Sequence, residues 1–254
     1  MPKFVSSTGD ADSFLGAALA RLASTFEVNP GFTFFEGGNT PNAFANPDTL
    51  LESVSGMVTM GTHLFNRMIR VNDGGVSLLM VCAHEFGHIH QRHSEYLQEF
   101  LMLDDTNKPI ELHADYLAGY YLARRRDEHP DLDLRRVGDE VYKTCDFEFG
   151  DKQHHGTPDE RFDALTAGYR FGLVGSPNIT QVAGSGLQFI KHAYQINSSD
   201  QQHPTTESIT RPCEMLYSDG PLRRMLSKYS QVAICLRSRL ARIADQLQQD
   251  HRDV

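Results

Sequence analysis

Apolar residues recur at helical spacing over Ala11 to Glu27, where Leu15, Ala18, Leu19, Leu22 and Phe26 form one stripe, and Asn29-Pro30-Gly31 ends the pattern. The period then shortens. Phe32-Thr33-Phe34-Phe35 reads as a strand, residues 37–42 as a turn, and Ala43-Phe44-Ala45 and Met57 to Thr62 as two more strands. A short helix over His63 to Ile69 and the turn Asn72-Asp73-Gly74-Gly75 lead into the apolar run Val76 to Ala83. That run continues as a helix carrying several histidines. Asp104 to Pro109 reads as a loop before another helix, which starts near Glu111 and reaches Arg124-Arg125-Arg126, where cations suit the negative end of the helix dipole. From Pro158 onward the pattern is helical, at about 158–171, 178–196 and 218–249, with the polar stretch Ser198 to Pro212 as a loop or lobe boundary. The expectation is a mainly helical α+β fold with a small sheet. A first unit covers residues 1–175, and a helical C-terminal lobe over 176–254 packs on it.

The apolar run leads into His84-Glu85-Phe86-Gly87-His88, an H-E-x-x-H motif. Two histidines four apart on a helix share one face, so both imidazoles can reach one metal ion. A glutamate beside the first histidine then lies near the metal's open position, where it can take a proton from water. With 12 histidines in 254 residues, the motif has roughly a 3% chance of arising at random, so it needs support from elsewhere in the chain. Gly87 adds a hint. Glycine costs about 1 kcal/mol relative to alanine inside a helix, which makes sense where a neighbouring element packs closely.

The support comes 23 residues after His88, from Glu111-Leu112-His113-Ala114-Asp115. A catalytic zinc takes three protein ligands and leaves one position open. Glu111 is the natural third ligand. Asp115, one turn later on the same face, can accept the outer N–H of a ligand histidine and hold its tautomer. His113 competes for the ligand role, but it lies about 200° around the helix from Glu111, so the two cannot both face the ion. His90 points off the 84/88 face and His93 lies too far along it; both read as surface residues.

Taken together, H-E-F-G-H followed by E-L-H-A-D resembles the gluzincin metallopeptidases, and within them the HtpX-like and CAAX-prenyl-protease-like family. Pro41-Asn42-Ala43-Phe44-Ala45 and Gly56-Met57-Val58-Thr59-Met60-Gly61 are similar to that family's strands before the zinc helix. His155-Gly156-Thr157-Pro158-Asp159-Glu160-Arg161 resembles its downstream His-to-Arg segment, and also that of bacterial neutral zinc metallopeptidases. The likeness covers roughly residues 30–172. It implies a zincin-like core, a peptide or protein substrate, and one catalytic Zn²⁺ held by His84, His88 and Glu111. It further implies Glu85 as general base, Asp115 behind a zinc histidine, and His155 and Arg161 as donors to the oxyanion. His154, adjacent in sequence, could exchange roles with His155. By the same resemblance, Asn42-Ala43-Phe44 or Met57-Val58-Thr59 would supply the edge strand that takes substrate as an added strand. Thr157, Pro158 and Glu160 also have a purely structural reading, as the capped start of a helix.

Composition narrows the setting. A net charge of −9 argues against nucleic acid or an anionic membrane surface as the main partner. No segment approaches 18–20 consecutive apolar residues, so no transmembrane helix is expected, unlike many members of the resembled family. The first residues lack a signal-peptide core, and the widely spaced Cys82, Cys145, Cys213 and Cys235 read as mostly reduced thiols. These features point to a cytoplasmic protein. The 218–249 helix carries an apolar stripe from Leu222 to Leu247 with basic residues on its other faces. It reads as packed on the domain or, alternatively, as a homodimerisation or substrate-docking helix. Three further functions stay open: a narrow-target processing protease acting on a cellular regulator, a non-catalytic zinc-binding regulatory or interaction module, and a metal-dependent amidase acting on a non-peptide bond. Glu85 discriminates, because a structural zinc site has no use for a carboxylate at an open coordination position.

Overall fold

The structure is a computed structural model and describes residues 9–36, 42–46, 54–130, 132–142 and 155–199. Helix α1 (Gly9–Phe26) precedes strands β1 (Gly31–Phe35), β2 (Ala43–Asn46) and β3 (Met57–Gly61). Helices α2 (Thr62–Met68), α3 (Val76–His93), α4 (Leu97–Leu101), α5 (Lys108–Arg124), α6 (Leu134–Tyr142), α7 (Pro158–Gly172) and α8 (Ile179–Ser199) follow. The fold is therefore α+β and mainly helical, with one small mixed sheet. The sequence pattern does not show α4 or α6, which are short. It also starts α5 late, because Pro109 looks like a loop residue. In the structure Pro109 occupies the first turn of the helix, where its missing N–H costs nothing.

The sheet order is β1-β3-β2, with β1 parallel and β2 antiparallel to β3. This corrects one expectation. Met57-Val58-Thr59 lies in the central strand, hydrogen-bonded on both sides and wholly buried, so it offers no edge to a substrate. Ala43-Phe44-Ala45 lies in β2, which among the described residues pairs only with β3 and is partly exposed.

Helices α3 and α5 are buried on almost every face. Gly75, at φ 85°, opens α3, and both oxygens of Asp73 accept N–H groups of its first turn. One side of α3 faces α1 and the sheet; the other packs on α5, which also carries α7 and α8. Burial makes α5 apolar and small all round, with Leu112, Ala114, Leu117, Ala118 and Leu122 on several faces. Its tightest neighbour is α7. A Cβ built on Gly119 would sit 1.9 Å from the Leu165 carbonyl oxygen, and one on Gly168 would sit 1.8 Å from that of Tyr116. At Gly87 the nearest atoms, on Ala114 and Leu117 of α5, are at an ordinary 3.5 Å. A neighbour does pack there, but the contact that only glycine permits lies between α5 and α7.

Thr157 and Glu160 close a capping box at the start of α7, each side chain bonding the other's backbone N–H, with Pro158 at the first helical position. Of the residues expected to form a C-terminal lobe, those of α8 pack on α5 and α7 and share their core; the 218–249 helix and its expected interfaces lie outside the described residues. No described helix is long and apolar enough to cross a membrane.

Candidate metal centre

The face of α3 that meets the first turns of α5 carries the histidine pair. His84 Nε2 and His88 Nε2 lie 3.0 Å apart, and the Glu111 carboxylate closes the triangle at 3.2 Å from His84 and 3.4 Å from His88. These three side chains can hold a metal ion. Donors held about 2.0–2.1 Å from a tetrahedral zinc lie roughly 3.3 Å from one another, so the spacing fits such an ion. Two imidazoles and one carboxylate suit zinc better than calcium or magnesium, which favour oxygen donors throughout.

Both imidazoles are held from behind. The Nδ1–H of His84 donates to Asp115 Oδ1 at 2.9 Å, and that of His88 to Gln91 Oε1 at 2.9 Å. With Nδ1 so committed, both Nε2 atoms face the shared point. Asp115 is 0% exposed and also receives Arg161, at 2.7 Å from Nε and 3.0 Å from Nη2. The Arg161 fork, expected at the substrate, thus has two of its nitrogens on Asp115. His155 comes to the front of the site, with Nδ1 3.3 Å from Glu111 Oε2 and its side chain 43% exposed. His154 lies outside the described residues.

The electrostatics follow from this crowding. Burial opposes the charged form of His84, but Asp115 and Glu111 outweigh it and push its pKa up to about 10. Burial likewise works to raise Glu111 and Asp115. For Glu111, His88 and hydrogen bonds from His155 and His84 win, holding the carboxyl well below its usual range. For Asp115, Arg161 and His84 win and its pKa is lowered. Glu85, only 7% exposed, goes the other way: burial raises its pKa despite His84 and His88. The hydrogen bond to Glu111 also raises that of His155.

The other histidines are placed elsewhere. His113 turns away from Glu111, against Gln91 and the Ala183 carbonyl, and burial pushes its pKa down to about 3. His93 is exposed, as expected. His90 is not a plain surface residue: it is half-buried and donates from Nδ1 to Phe26 O, closing the end of α1. Gln91 is the site residue that sequence reasoning missed. Its signal was its spacing, one turn after His88 on the same helix. No protein-family model, curated protein or solved structure matches the chain.

Proposed function

We propose that this protein is a zinc-dependent endopeptidase of gluzincin type. The observation that carries the reading is the convergence of His84, His88 and Glu111 on one point, with Glu85 buried beside it on the same helix. The α3 helix, its small sheet and the third ligand from α5 support a zincin-like core. Zinc held there would lower the pKa of water toward neutrality and polarise the scissile carbonyl.

The chain's own residues then divide the remaining work. Glu85 accepts the proton of the attacking water and passes it to the leaving amine as the C–N bond breaks. Its raised pKa suits a group that must hold a proton between two steps. His155, at the open side of the site, donates to the oxygen on which negative charge develops. Arg161 acts mainly through Asp115, which keeps the His84 proton on Nδ1. The edge of β2 that is unpaired among the described residues is the candidate for aligning a peptide.

The test is digestion of an unbiased peptide and protein library by wild type and Glu85→Gln, with zinc measured in both. Cuts by wild type alone, with zinc retained in both, are expected. Zinc in both with no cuts in either would overturn general endopeptidase activity and favour the narrow-target or the non-catalytic module reading.

A further inference from the structure

Behind His88 runs a chain of hydrogen bonds that reaches α8. His88 Nδ1 lies 2.9 Å from Gln91 Oε1. Gln91 Nε2 lies 2.8 Å from the Ile110 carbonyl and 3.0 Å from His113 Nδ1. His113 Nε2 lies 3.0 Å from the Ala183 carbonyl. Gln91 is 1% exposed and His113 0%, so both groups are shut off from bulk water.

Each link has one permitted sense. A carbonyl only accepts, so His113 carries its proton on Nε2 and offers Nδ1 as an acceptor. The Ile110 carbonyl and His113 Nδ1 together use both N–H groups of the Gln91 amide. Its oxygen is therefore turned to His88. That oxygen accepts, so His88 carries its proton on Nδ1 and keeps the Nε2 lone pair for the ion. A reversed Gln91 amide would set oxygen against the Ile110 oxygen and NH₂ against His88. The His88 proton would then move to Nε2, and the imidazole could no longer bind metal through that atom.

We infer that Gln91, fixed by the Ile110 carbonyl and by His113 on the Ala183 carbonyl, is a positioning residue that sets the tautomer of His88. Packing of α8 on α5 is thereby transmitted to the metal centre. The inference rests on the metal-binding reading above and adds a route by which a helix that supplies none of the three ligands controls one.

The test is zinc affinity, measured by competition with a chromophoric chelator. Gln91→Leu is expected to lose roughly 10- to 100-fold. His113→Leu, whose side chain does not reach the ion, is expected to lose affinity as well. The double variant should lose no more than Gln91→Leu alone, because the two residues act as one chain. His90→Ala, which breaks the bond to Phe26, should lower the melting temperature and leave affinity unchanged, as a merely structural change would. Nitrogen-15 NMR of the zinc-loaded wild type should show the His88 proton on Nδ1 and the metal on Nε2. If Gln91→Leu does not fold, this spectrum and Gln91→Met decide. Unchanged affinity in Gln91→Leu, additive losses, or metal on His88 Nδ1 would overturn the inference while leaving the metal site standing. A wild type that binds no zinc would sink the metal-binding reading and the inference together.

Discussion

Asp115 is held from two sides, by the His84 N–H and by the Arg161 fork, with no exposure to water. Such a carboxylate is stable only while its partners are present. Arg161→Ala is therefore expected to cost about 3–5 kcal/mol, because it leaves a buried charge short of its partner. Urea unfolding of the metal-free protein would measure this. Arg161→Lys should recover only part of the loss, since one ammonium cannot reproduce a two-nitrogen contact. Both variants should also weaken zinc binding by loosening His84. A full rescue by lysine would show that charge alone matters and that the geometry of the fork does not. The relation of Asp115 to the histidine pair was legible in the chain, because helical spacing puts Glu111 and Asp115 on one face. The partnership of Asp115 with Arg161 was not. It joins residues 46 apart in sequence across two helices, and nothing local encodes it. Gln91 is illegible for a different reason: an uncharged amide on a helix looks like a surface residue until its burial is known.

Between elements, the contact that sets the site is α5 on α7. Gly119 and Gly168 let the two backbones approach so closely that neither position has room for a methyl group. Alanine would gain up to about 1 kcal/mol in helix propensity, yet its Cβ would meet backbone, which cannot move aside as a side chain can. Gly168→Ala is expected to destabilise by at least the 1–3 kcal/mol typical of overpacking, read by urea unfolding. It should also weaken zinc binding, since α5 carries Glu111 and Asp115 while α7 carries Arg161. Gly87→Ala serves as the contrast: with contacts at 3.5 Å it should fold with equal or slightly higher stability. The same pair of helices supplies a pH prediction. Glu160 completes the α7 capping box and pairs with Lys108 at 2.5 Å. Burial works to raise its pKa, but Lys108 and Thr157 outweigh it and lower it. A depressed carboxyl contributes stability above its unfolded pKa of about 4.3, and loses it as pH falls through the folded value. Glu160→Gln should thus be less stable than wild type at pH 7, with the gap closing below about pH 4. A gap that stays constant with pH would show that the carboxylate charge contributes nothing. The α7 boundary was legible because Thr, Pro and Glu mark a helix start locally. The close approach of α5 and α7 was not, because a glycine inside a helix says that something is near and not which element it is. Gly87 signals a neighbour in the same way, although Gly119 and Gly168 hold the tighter contact.

At the scale of the whole molecule, the candidate centre joins parts of the chain that the core already holds in register. α3 supplies two ligands, α5 the third, and the segment entering α7 brings His155. The strands and the longer helices were legible in order from hydrophobic period, while the short α4 and α6 were not. The pairing of the H-E-x-x-H helix with the Glu111 helix was legible too, because two histidines on one face ask for a third ligand from another element. Strand order was not, since β1, β2 and β3 are all short and largely apolar; only the structure puts Met57–Gly61 in the centre. This architecture distinguishes the protein from small zinc domains that unfold without metal. α3 and α5 are buried against the sheet, α1, α7 and α8 by apolar contacts that owe nothing to an ion. Chelation should therefore leave the helical circular dichroism intact. An ion that binds only the folded state still adds stability by mass action, about 2.7 kcal/mol at a free concentration one hundred times its dissociation constant. In a chain of this size that is a rise in melting temperature of roughly 5–10 °C. Calorimetry with and without zinc should show that rise in wild type and in Glu85→Gln, which keeps all three ligands. It should vanish in His84→Ala and in Glu111→Ala. A zinc response that survived the loss of either ligand would place the ion somewhere other than between α3 and α5.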